Sequence, residues 1–183
     1  MPRAKMNAAE HSSNLGKLVH NFQSLETWLR VVLLKLESAQ RPTSRLDFES
    51  MTIGTMISVD ALTDYSDLAT LCRRFNRHME AKDAQILNVS LVDIRDAIAH
   101  GRILGTPNGF PLRLVKFSKP TSGQVKLVVN EIMDHNWFSL QLLRTHRAIE
   151  LVRAEAEHIA LAMPAPRATQ TLSPTSKSIK DVP

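Results

Sequence analysis

Cysteine, apolar runs and signal-peptide features are scarce in this chain of 183 residues, and each scarcity excludes a class of protein. The single cysteine, Cys72, cannot form an internal disulfide, which suits a reducing cytoplasm. The N-terminus lacks the apolar region of a signal peptide, and charges interrupt the segment WLRVVLLKLE too often for a membrane span. We therefore expect a cytoplasmic protein that does not enter a membrane.

Glycine-rich phosphate loops are also missing, since the sequence has no Walker loop, dinucleotide fingerprint or nucleophile elbow. His146 and Glu150, and likewise Glu155 and His158, have the spacing of metal ligands on a helix. No second helix supplies the remaining ligands, so a solvated helix face is the better interpretation. We expect no metal and no cofactor.

Basic residues are concentrated in one part of a chain whose net charge is +5. Between Arg95 and Lys126 the sequence holds six lysines and arginines and one acid, Asp96. Such a patch can contact phosphates, although an ordinary solvated surface is the alternative.

Apolar residues recur at three- and four-residue steps in several segments, which is typical of amphipathic helices. The predicted helices cover residues 14–38, 64–80, about 82–100 and 136–163, with a weak helix or turn at 51–59. The predicted N-caps are Ser12 or Ser13 for the first helix, Asp64 or Ser66 for the second and Asn136 for the fourth. Gly101 is expected to end the third helix in a left-handed conformation.

Two segments between the third and fourth helices have strand chemistry: LRLVKFSK and VKLVVNEIM, joined by PTSGQ as a hairpin connection. GTPNGFP, before them, predicts a loop. The sequence thus predicts a mainly all-α, up-and-down helical bundle over residues 13–163, with a β-hairpin at about 112–133 inserted before the last helix. A flexible N-terminus (1–12) and a disordered tail (164–183) are expected to flank it. The long outer helices would suit a dimer, although a monomer is the alternative.

The segment VDIRDAIAHGRI concentrates chemically active side chains near the end of the third predicted helix. An arginine and a histidine five positions apart occur three times in the chain, as Arg73–His78, Arg95–His100 and Arg153–His158. The spacing alone is therefore weak evidence for a functional site. Only the middle pair has a short polar residue after the arginine and a glycine after the histidine.

Geometry sets conditions on this middle pair. On a regular helix Arg95 and His100 lie about 140° apart, so they can converge only where the helix ends, whereas Asp96 and His100 share a face and could hydrogen-bond. A histidine near a carboxylate and the negative end of a helix dipole suits proton transfer, and an arginine suits a phosphate. An ordinary helix ending, with basic side chains capping carbonyls, is the alternative.

The stretch IRDAIAHG resembles the signature of the HEPN superfamily, in which an arginine, a polar residue, mostly apolar residues and a histidine lie late in the third helix of a bundle. The first helix, with Glu26, is also similar to that of many members. The resemblance covers about residues 13–163 and is specific at 94–101.

This resemblance implies cleavage of RNA without a metal, in a composite site formed by two protomers. The substrate's 2′-hydroxyl would attack the adjacent phosphate and leave a 2′,3′-cyclic phosphate. His100 would transfer the proton, Arg95 would stabilise the phosphate and Asp96 would orient both.

Under this interpretation the protein is an endoribonuclease, as a toxin or an anti-phage effector. Its expected partners are RNA, a second copy of the chain and an antitoxin or regulatory protein. Arg102, Arg113 and Lys116 are candidate RNA contacts. The alternative is a catalytically inactive module of the same fold that binds RNA or protein.

Overall fold

The computed structural model describes residues 6–38, 49–107 and 109–162, and the mainly helical fold class is confirmed for them. The elements in chain order are α1 (Ala8–Ser38), α2 (Leu68–Glu80), α3 (Ser90–His100), β1 (Arg102–Thr106), β2 (Gly109–Phe117), β3 (Leu127–Ile132) and α4 (His135–Ala162). The predicted tail, 164–183, and the first five residues lie outside the described residues. Within the described ranges, no helix is both long and apolar enough to cross a membrane.

The two long helices α1 and α4 pack along one another and form most of the core. Their apolar residues recur at three- and four-residue steps, which places them on one face of each helix. The residues buried on these faces include Leu18, Phe22, Leu25, Leu29 and Val32 of α1 and Phe138, Ile149, Val152 and Ala156 of α4. A buried leucine or phenylalanine contributes about 1.5–3 kcal/mol, so this contact is the main source of stability.

Helix α2 is joined to α1 by charged groups as well as by apolar packing. Arg30 of α1 donates to Asp64 at 2.9 Å, and Arg74 of α2 donates to the other oxygen of the same carboxylate at 3.0 Å. Asp64 is therefore a bridge between helices and not the N-cap. The N-cap is Asp67, which accepts a hydrogen bond from the Thr70 N–H at 2.7 Å.

Helix α1 begins earlier than predicted. Asn7 and Glu10 each accept a hydrogen bond from the other's backbone N–H, at 2.9 and 3.1 Å, which forms a capping box before Ser12 and Ser13. Because Met6 is also buried, the folded domain reaches beyond the predicted boundary at residue 13.

Helix α4 begins at His135, one residue before its predicted cap. The carboxylate of Asp134 accepts a hydrogen bond from the Trp137 N–H at 2.8 Å, so Asp134 caps the helix and Asn136 lies inside it. Residues 51–59 contain turns and no helix.

The third helix is shorter than predicted, because residues 81–89 form a loop between α2 and α3. The amide of Asn76 holds this loop: it donates to the Leu87 carbonyl at 2.9 Å and accepts from the Leu87 N–H at 2.7 Å. Leu87 is buried while Ile86 and Val89 are exposed, so these apolar residues are not one helix face.

The predicted hairpin is part of a three-stranded antiparallel sheet with the order β1-β2-β3. Strand β1 pairs Arg102 with Val115 of β2, where the sequence predicts no strand. Leu114 is fully buried on the sheet face that meets the helices, together with Met133 just after β3. The exposed residues of β1 lack the apolar alternation that would have identified it from the sequence.

Replacing Asn76 with alanine is expected to lower the free energy of unfolding by about 2 kcal/mol or more, since both backbone groups of Leu87 would be buried without partners. Chemical denaturation of wild type and variant measures this loss. Asn88→Ala is the matched control, because it removes one exposed hydrogen bond, to the Ser90 N–H, and should lower stability by less than about 1 kcal/mol. Equal losses in the two variants would contradict the assigned role.

His11 of α1 is buried between Phe110 of β2 and Phe138 of α4, with ring centroids 5.8 and 5.3 Å away. Neither ring nitrogen has a hydrogen-bond partner among the residues that the structure describes. Burial disfavours the charged form and lowers the pKa of His11 below its ordinary value of 6.5. The folded protein therefore keeps this ring neutral while the unfolded chain takes up a proton.

Stability is expected to fall as the pH drops below about 6.5, because the unfolded state then binds a proton that His11 in the folded state takes up only at lower pH. The slope reaches at most about 1.4 kcal/mol per pH unit for one proton. Denaturation at several pH values measures it, and His11→Leu should remove this part of the slope. His146→Leu, at an exposed position of α4, is the control; a slope unchanged in His11→Leu would contradict the assignment.

Candidate functional site

Helix α3 carries the three residues of the predicted catalytic motif and is itself only lightly buried. Leu91 and Ala97 are its buried residues. His100 is the last residue of the helix and is exposed, whereas Arg95 and Asp96 are partly buried. The histidine therefore lies at the surface, at the junction between helix and sheet.

Asp96 interacts with two cations. Its carboxylate lies 3.2 Å from the Arg95 guanidinium and 3.7 Å from the Lys116 ammonium of β2. Within the described ranges no hydrogen bond joins Asp96 to His100, so the predicted pairing along the helix face is wrong. The sheet supplies a second cation, Lys116, and of the two predicted catalytic partners the carboxylate contacts Arg95.

Arg95 and His100 line two different cavities of one protomer. The Arg95 cavity, of about 330 Å³, lies between α1 and α3 and includes Phe22 and Glu26 in its walls. The His100 cavity, of about 380 Å³, lies between the end of α3 and the sheet. The separation agrees with their angular distance on a regular helix, and it means that one copy of the chain does not join these two side chains in one cavity.

The three candidate RNA contacts lie on both faces of the sheet. Lys116 is on the face that meets α3, beside Asp96. Arg102 lies opposite Val115 in the strand register, and Arg113 is two residues from Val115, so both lie on the other face. Arg113 donates to the Asn130 side chain, whereas Arg102 lies over the Phe117 ring at 5.6 Å and beside His100 in the same cavity wall.

Gly101 is the sharp joint between α3 and β1, but it is not left-handed. Its φ and ψ are −81° and −172°, an extended conformation open to any residue. The requirement for glycine is steric: a Cβ here would lie 2.2 Å from the Ala97 carbonyl oxygen and 2.9 Å from that of Val115. The predicted left-handed cap is wrong, and close backbone approach replaces it as the reason for glycine.

The sequence did not identify Phe117 as a part of the site. It stands two and four residues after Val115 and Arg113, and this alternation places the three on one sheet face. With β1 unrecognised, nothing in the sequence placed that face beside His100.

Other candidate chemistry lies away from this site. Cys72 is buried, and burial raises the pKa of its thiol to about 11, which removes it as a nucleophile near neutral pH. Glu155 is ion-paired with His78 and Lys82. In the part of the chain that the structure describes, no three histidine, cysteine or carboxylate side chains lie close enough together to hold a metal ion.

In comparisons with known proteins, no family model, curated protein or solved structure matches this chain.

Gly101→Ala is expected to lower the free energy of unfolding by about 1–3 kcal/mol, because the backbone of α3 or β2 must move away from the added methyl group. Gly16→Ala is the matched control. No atom lies within 4 Å of a Cβ at this position in α1, so alanine should raise stability by about 0.5–1 kcal/mol. Thermal or chemical denaturation compares both variants with wild type. A neutral Gly101→Ala would show that the joint does not need glycine.

Proposed function

We propose that this protein is a metal-independent endoribonuclease of HEPN type that acts as a homodimer. The proposal starts from the motif at 94–101 and its resemblance to that superfamily. One observation carries it further: His100 is held, exposed, at the end of α3, on the wall of a cavity that also contains Arg102. A proton-transferring side chain at an open surface beside fixed cations suits a phosphodiester substrate.

The separation of the two cavities supports a role for a second copy. Arg95 and His100 of one chain do not line a common cavity, and combining motifs from two protomers would bring both groups to one site. In such a dimer the two α3 ends approach each other. The exposed position of His100 and the partial exposure of Arg95 leave both side chains accessible to a second copy.

In the proposed reaction the substrate's 2′-oxygen loses its proton to His100 and attacks the adjacent phosphorus. The bond from phosphorus to the 5′-oxygen breaks, and this oxygen takes up the proton that His100 holds, which leaves a 2′,3′-cyclic phosphate and a 5′-hydroxyl end. Arg95 stabilises the charge that builds up on the phosphate, and Asp96 holds Arg95 through their contact of 3.2 Å. A role as a toxin or anti-phage effector, restrained by an antitoxin or regulatory protein in the cytoplasm, comes from the resemblance alone.

A catalytically inactive RNA-binding module is the second candidate, and the contacts of Asp96 favour it. Its carboxylate offsets the positive charge of Arg95 and Lys116, which weakens the pull of both on a phosphate. In such a module the exposed Arg102 and the partly buried Arg113 would bind the RNA backbone without cleavage.

His100→Ala and Arg95→Ala are each expected to lower the rate of RNA cleavage by about 10²–10⁴-fold, the usual contribution of a proton-transferring group or a charge-stabilising donor. The assay uses labelled single-stranded RNA in EDTA and identifies cyclic-phosphate ends. His158→Ala is the matched control, because His158 follows Arg153 at the same spacing on an exposed part of α4.

Mixing the two inactive variants tests the composite site, since a mixed dimer keeps one intact Arg95 and one intact His100. Partial recovery of cleavage is the expected result. Recovery failing while each variant still dimerises would mean that one protomer uses its own two residues. No cleavage by the wild-type dimer, purified without any bound protein, would leave the RNA-binding module as the function.

A further inference from the structure

The cavity beside His100 is formed largely by the sheet, whose strands lie between α3 and α4 in the sequence. Its walls include Val115 and Phe117 of β2 and Pro120 and Val125 from the connection to β3. Its volume of about 380 Å³ falls within the range of small-ligand pockets, which is about 300–1,000 Å³. The helical part alone would leave His100 without this wall.

Arg102 and Phe117 form a cation–π pair in this wall. The guanidinium carbon of Arg102 lies 5.6 Å from the centroid of the Phe117 ring. Phe117 is 39% exposed and Arg102 is exposed, so the pair is accessible from solvent. The aromatic ring and the guanidinium are both planar groups of the kind on which nucleobases stack.

The charged residues in the cavity wall also indicate what kind of ligand it would bind. Among the described residues, the lining contains two basic residues, His100 and Arg102, with one hydroxyl, Ser118, and it contains no aspartate or glutamate. The Arg95 cavity differs, because the Glu26 carboxylate lies in its wall. An aromatic group attached to a phosphate therefore fits the His100 cavity better.

We propose that this cavity is a nucleobase subsite, in which the base of a nucleotide next to the scissile phosphate stacks on the Arg102–Phe117 pair. The inference rests on the proposed function, because it places an RNA substrate at His100. The sheet would then have a role separate from that of the catalytic motif: it selects which nucleotide lies at the cleavage position. Arg102 and Phe117 then determine specificity, while His100 acts on the backbone.

The test measures the affinity of the protein for a labelled 2′-O-methyl RNA oligonucleotide, which lacks the attacking hydroxyl and cannot be cleaved. A matched set of oligonucleotides carries a single abasic nucleotide at each position in turn. For the wild type, the abasic nucleotide at the subsite should weaken binding by about 5- to 150-fold, the usual contribution of one stacked base. Phe117→Leu should weaken binding of the intact oligonucleotide to a similar degree.

The decisive comparison is the double change. With Phe117→Leu, the same abasic nucleotide should cause no further loss, because stacking has already been removed. Phe117→Tyr, which keeps the ring, should retain wild-type affinity, and Arg102→Lys, which keeps the charge but not the plane, should behave like Phe117→Leu. Ile103→Ala is the control: Ile103 is exposed on β1 and does not line the cavity. Denaturation of each variant checks that it is folded.

Independent losses from Phe117→Leu and from the abasic nucleotide would overturn the subsite, as would no binding of the oligonucleotide by wild type. Cleavage by wild type together with independent losses would keep the proposed ribonuclease and remove only the subsite. Coupled losses without cleavage of ordinary RNA would keep the subsite and remove the proposed ribonuclease. The protein would then bind RNA through this subsite without cleaving it.

Discussion

Packing of α1 against α4 is the interaction on which the other elements depend. These helices provide most of the buried apolar surface, and the shorter elements attach to them through a few specific contacts. Helix α2 is held by the bridge through Asp64 at one end and by Glu155 of α4 at the other. Burial opposes ionisation of Glu155, but hydrogen bonds from Lys82 and His78, at 2.6 and 2.7 Å, outweigh it and keep its pKa below the ordinary value.

Helix α3 shows how a lightly buried element can still be placed accurately. Its beginning is fixed by the loop that Asn76 holds at Leu87, and its end is fixed where Gly101 approaches the backbone of β2. Both constraints act on the backbone of the chain, and among the side chains of the helix Leu91 and Ala97 are buried while His100 is exposed. The helix can therefore present His100 to solvent at a defined position, as a proposed catalytic group requires.

The carboxylate of Asp96 has two opposing effects around α3. Asp96 orders Arg95 and Lys116 by ion pairing, and the same contact lowers the net positive charge that a phosphate would meet. A second copy or an RNA backbone would have to compete with this carboxylate. On the other face of the sheet, Arg102 and Arg113 are not paired with a carboxylate in the described ranges, so no such pairing reduces their positive charge. Position and charge at the site thus depend on the helix and the sheet together.

The sequence by itself determined the apolar faces of α1, α2 and α4 and the cluster of reactive residues at 94–101, because each depends on local spacing. Only the tertiary structure decided the rest. Strand β1 pairs with β2, and Asp96 lies beside Lys116; both are contacts between separate elements of the chain. Gly101 is needed because the chain at this position lies close to the Val115 carbonyl oxygen, and no local sequence pattern encodes that distance. For the same reason the separation of Arg95 and His100 into two cavities follows from the placement of α1 and the sheet on either side of α3.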